Sequence, residues 1–107
     1  MRFSELKKQV KSIGLGELRK ESDNYLEAVV LKDNIDELVR KLNNFFGDPV
    51  WPSWGKLSLQ TERAIKVHGG IIKGQTLYFS KLDGVVIFAM LWPWADGRNI
   101  TVKIVKQ

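Results

Sequence analysis

The chain of 107 residues contains no cysteine. Disulfides and thiolate metal sites are therefore excluded, and a reducing, cytoplasmic setting is expected. It contains one histidine, His68, so a multi-histidine metal site cannot form. No apolar run is long enough to span a membrane. The first eleven residues are polar and amphipathic, unlike the apolar core of a secretion signal. No four basic residues are consecutive, although 17 Lys and Arg against 12 Asp and Glu leave a net charge of +5. That excess is divided: residues 1–20 carry +4, residues 21–55 carry −4 and residues 56–107 carry +5. A mild, dispersed balance of this kind permits binding to nucleic acid or an anionic surface without requiring it.

Phosphate-binding signatures fail as well. Gly14, Leu15 and Gly16 open like a dinucleotide loop, but Arg19 stands where the third glycine belongs and no strand precedes them. Residues 69–76 have the glycine spacing of a P-loop, yet Gln75 replaces its lysine. A helix also enters that loop, where a true P-loop is left by one.

What the chain does have is concentrated in residues 71–106, which read as three strands joined by two Asp-Gly turns. Residues 75–82 are rich in β-branched and aromatic types, and Asp83 with Gly84 suits a two-residue hairpin turn. Residues 85–94 form the most apolar run, of a length for a central strand, and Pro93 marks where pairing should stop. Asp96 with Gly97 makes a second turn, expected to be of the same kind, before residues 99–106. Two-residue turns fix the register. Phe79 then lies opposite Phe88, Leu77 opposite Met90, Leu91 opposite Val102 and Ala89 opposite Ile104. One face carries Tyr78, Ile87, Ala89, Leu91, Ile100, Val102 and Ile104. The other, the aromatic face, carries Leu77, Phe79, Val86, Phe88, Met90 and Trp92, bordered by Lys103.

Upstream, Leu6, Val10 and Ile13 make the stripe of a short helix that Ser4 can cap and Gly14 can end. Residues 25–31 read either as a further strand or, since Ala28, Leu31 and Ile35 continue the stripe of the next helix, as an extension of that helix; the strand is the favoured reading. Asp33 is the expected N-cap of a helix over residues 34–46, whose apolar face is wide. Asp33, Asp36 and Glu37 suit a helix N-terminus and lack a His partner for a metal. Residues 48–55 form a loop stiffened by Pro49 and Pro52 and carrying Trp51 and Trp54. Packing at one end of the core and a recognition loop both fit those tryptophans. Ser58 should cap a third helix reaching about His68, where a histidine serves as a helix-terminal residue.

The expectation is one α+β domain over residues 1–107. Its core is an antiparallel three-stranded meander, or four strands with 25–31, packed with two to three helices. Helices two and three are expected over the Ile100 face, leaving the short first helix as a poor lid for the aromatic rings. The alternative is that the chain's own helices bury both faces and leave function to the Trp51–Trp54 loop or elsewhere.

No catalytic constellation emerges. Asp83 and Asp96 sit at opposite ends of a strand, on the order of 30 Å apart. Ser53, Ser58 and Ser80 lack a nucleophile elbow. A small-ligand pocket could form from Trp92, Trp94, Asp96 and Arg98 with Trp51 and Trp54, but no spacing rule supports it. The expected role is a non-catalytic binding module without cofactor or metal, through Phe79, Phe88, Met90, Trp92 and Lys103 with Trp51 and Trp54. A protein partner or self-association is the first expectation. Single-stranded nucleic acid is the alternative, since aromatics ringed by Lys73, Lys81, Lys103 and Arg98 resemble a stacking platform.

Overall fold

Two adjacent residues with positive φ start the architecture. Asp83 at φ 52° and Gly84 at φ 78° form the tight turn between β3 (Thr76–Leu82) and β4 (Val85–Pro93). In this computed structural model, which describes residues 3–14, 16–52, 57–71 and 74–107 (the side chain of Leu82 excepted), that turn sets Phe79 against Phe88 and Leu77 against Met90. The second hairpin keeps the expected register, with Leu91 against Val102 and Ala89 against Ile104 in β5 (Asn99–Lys106). Its turn is wider than expected. Only Gly97 has a positive φ there, its N–H reaches the Trp94 carbonyl at 3.3 Å, and the Trp94 N–H donates to the Asn99 carbonyl. The Asp96 carboxylate accepts from the Arg98 and Asn99 backbone N–H groups at 2.8 and 3.1 Å, which ties the loop to itself.

The sheet is larger than a meander. Five antiparallel strands run in the order β1-β2-β5-β4-β3, which places β5 at the centre. β2 (Tyr25–Leu31) pairs with β5 along its whole length. β1 (Glu17–Ser22) adds an outer strand that residues of its polarity do not announce. The opposite edge, β3, is partly closed by Trp51, whose backbone exchanges hydrogen bonds with Leu77 at 3.0 and 3.3 Å.

Both faces carry helices, but in a different division from the expected one. α1 (Phe3–Lys11) and α2 (Ile35–Phe46) share one face. Phe3, Leu6, Val10, Leu38 and Leu42 are buried there against Leu26, Ala28, Val30, Tyr78, Ala89, Val102 and Ile104. α3 (Leu59–Lys66) lies on the aromatic face, where Ile65 is buried with Leu77, Phe88, Met90 and Val105. An amphipathic stripe says that a helix must bury one side; it does not say which of two apolar faces will receive it.

Local signals were mixed. Ser58 caps α3 as expected, its Oγ accepting from the Thr61 N–H at 3.2 Å. Ser4 does not cap α1, since it lies inside the first turn. Asp33 does not cap α2: it belongs to a 3₁₀ turn over Lys32–Asn34, and Asn34 takes the N-cap position. No helix among the described residues is long and apolar enough to cross a membrane.

Candidate binding surface on the aromatic face

The aromatic face divides into a covered half and an open half. Over β3 and β4, α3 and the loop bearing Trp51 form a roof. Phe88 and Met90 lie fully buried under it, so these two expected contact residues serve as its floor and cannot touch a partner directly. Phe79 is half-buried and stacks on Phe88 with centroids 6.3 Å apart. Trp51 is half-buried, packs with Leu57, Ile65 and Ile71, and with them lines a cavity of about 580 Å³. Trp54, Lys73 and Ser53 lie outside the described residues.

The open half lies toward β1 and β2. All six residues of β1 are exposed. A bulge between Leu18 and Lys20 re-aims the strand there, so that Arg19, Lys20 and Glu17 can all reach partners over the face. Three rings lie along this half, each with a cation. The Arg19 guanidinium lies 5.3 Å from the Trp94 ring centroid, the Lys20 ammonium 5.6 Å from Tyr25, and the Lys103 ammonium 3.7 Å from Trp92. Each pair lies within the range of cation–π attraction.

Polar contacts fix the rings in place. The Trp94 indole N–H donates to Thr101 Oγ1 at 2.8 Å, while 38% of the residue stays exposed. The Tyr25 hydroxyl donates to Glu27 Oε1 at 2.7 Å. Burial, then that carboxylate, push the Tyr25 phenol far above its ordinary pKa, so it stays a donor. Arg19 also engages Glu17 at 3.4 Å and approaches Glu27 at 4.0 Å. Both acids of this region are thereby occupied. Lys20 and Lys103 have no carboxylate within 4.0 Å among the described residues.

His68 marks the boundary between the halves. Its expected place at the end of a helix holds, but its ring has another role. It stacks on Tyr25 at 5.9 Å and meets the edge of Phe88 at 5.5 Å. Burial, then the Lys103 charge, lower its pKa. Gly69 follows with φ 98°, and a Cβ there would come within 3.1 Å of the Trp92 ring. Glycine thus lets the chain pass close over that indole. The Trp92 N–H is buried without a hydrogen-bond partner among the described residues.

Reading the sequence located Trp92 and Lys103 but missed Arg19, Lys20, Tyr25, His68 and Trp94 as one group. The missing signal was β1, since its pairing to β2 brings residues 19 and 20 to two rings, Trp94 and Tyr25, that lie far from them in sequence or on another strand. Among the described residues, no group of three or more His, Asp or Glu is placed to hold a metal ion. Comparison with protein-family models, curated proteins and solved structures found no match to this chain.

Proposed function

We propose that the chain is a non-catalytic binding module that engages a protein partner through the open half of its aromatic face. The observation that carries this reading is the row of three cation–ring pairs, Arg19 with Trp94, Lys20 with Tyr25 and Lys103 with Trp92. Trp, Tyr and Arg are the residue types that dominate binding energy at protein interfaces. The two lysines without carboxylate neighbours favour a partner that brings its own acids around an apolar contact. Glu17 and Glu27 stand among the cations and oppose a phosphate backbone, which weighs against nucleic acid.

Crosslinking the full chain in cells that express it, followed by purification, tests the reading. A specific protein should co-purify with the wild type. Trp94→Ala and Lys20→Glu, both at exposed positions, should each weaken capture about tenfold or more while leaving the fold intact. A partner held equally by both variants would place the interface elsewhere. Salt-dependent binding of single-stranded oligonucleotides lost in the same variants would assign the face to nucleic acid instead.

A further inference from the structure

The face packed by α1 and α2 holds a further concavity, at the end of the sheet away from the β3–β4 turn. It has a volume of about 360 Å³, within the lower part of the range of small-molecule sites. Ile35, Val39 and Asn43 line one wall, spaced four apart on α2 and therefore on one side of it. All three prolines of the chain line the rest: Pro49 and Pro52 from the loop, Pro93 from the end of β4. Proline has a fixed φ and no N–H, so these walls resist collapse and present no stray donor. Leu91 and Ile100 form the floor, with only 4% and 6% of their surface accessible.

We propose that this cavity binds a small, uncharged, ring-sized organic molecule bearing one hydrogen-bond acceptor. Charge decides the class. Among the described residues no charged side chain lines the cavity, so a charged guest would lose its hydration without a counter-ion from them. Burial first, then the Asp48 carboxylate, push the Tyr78 phenol upward, and the same negative charge disfavours an anionic guest beside it. The polar side chains among the lining residues are few: Asn43, Thr76 and Tyr78. The Tyr78 hydroxyl donates to Asn43 Oδ1 at 2.8 Å, which pins the amide and leaves its N–H donors for a guest. The site lies on the opposite face of the sheet from Trp92 and Lys103, so this reading and the protein-binding one fail independently.

Titrating the ¹⁵N-labelled full chain with cyclohexanone, and separately with cyclohexanecarboxylate, tests it. Cyclohexanone should give saturable amide shifts centred on Val39, Asn43, Thr76 and Tyr78, with a Kd on the order of 1 mM or tighter for so small a guest. The carboxylate should bind at least about tenfold more weakly. Val39→Phe should fill the cavity and abolish the shifts. Asn43→Ala, at an exposed position, should weaken binding several-fold and decides the matter if the phenylalanine variant does not fold. Shifts that never saturate, that scatter over the surface, that the carboxylate matches, or that Asn43→Ala leaves unchanged would overturn the proposal.

Discussion

His68 shows how one side chain can report on a whole face. Its ring lies between Tyr25 and Phe88, with the Lys103 charge beside it. Protonation there must bring a charge into a half-buried aromatic setting next to another cation. The unfolded chain, with an ordinary value of about 6.5, therefore takes up the proton more readily than the native state. Stability is unaffected well above that value, where both states are neutral. It falls as the pH drops from about 6.5 toward the lowered native value. No other histidine contributes in this window. Urea midpoints measured between pH 7.5 and 5.5 should decline, and His68→Phe should flatten the decline. An unchanged slope in that variant would place the titrating group elsewhere.

At the scale of elements, one turn was fully legible and one was not. Asp83 and Gly84 dictated their hairpin because both must adopt positive φ, a demand few residue pairs satisfy. A Cβ at Gly84 would meet nothing within 4 Å, so Gly84→Ala tests backbone strain alone. The substitution should cost about 1 kcal/mol in chemical denaturation, and Gly84→Asn should recover much of it. A neutral alanine variant would mean that the turn relaxes to another type. β1 was illegible for the opposite reason. Its sequence of Glu, Leu, Arg, Lys, Glu and Ser has no apolar alternation, because no residue of it is buried. It is held by pairing to β2 and by α1, whose Lys7 Nζ donates to the Ser22 carbonyl at 2.7 Å and whose Lys11 Nζ donates to Glu21 at 2.8 Å. Those charges and the bulge also blunt the open edge against further strand addition. The strands that could be read were those that face a core, and the open half of the aromatic face was obscured with β1.

For the molecule as a whole, the position of β5 sets a gradient of stability. It pairs with β2 on one side and β4 on the other. Val102 and Ile104 are buried under α1 and α2, while Val105 is buried on the α3 side. Opening β5 must therefore break both layers at once. α3 differs: at eight residues it is shorter than the roughly 12–15 at which an isolated helix becomes even marginal. Ile65 and Thr61 are its only buried residues. Native-state hydrogen exchange should find the Val102 and Ile104 amides opening only with global unfolding. The Ile65 and Lys66 amides should open at lower free energy. The same gradient limits one mutation. Ile65→Ala removes a buried side chain, a change that usually costs about 2–5 kcal/mol. If α3 detaches as a unit, global stability can fall by no more than the free energy that docks the helix, because beyond that loss the rest of the fold persists without it. Equal protection of α3 and β5, with Ile65→Ala costing the full amount, would show that the two layers open together.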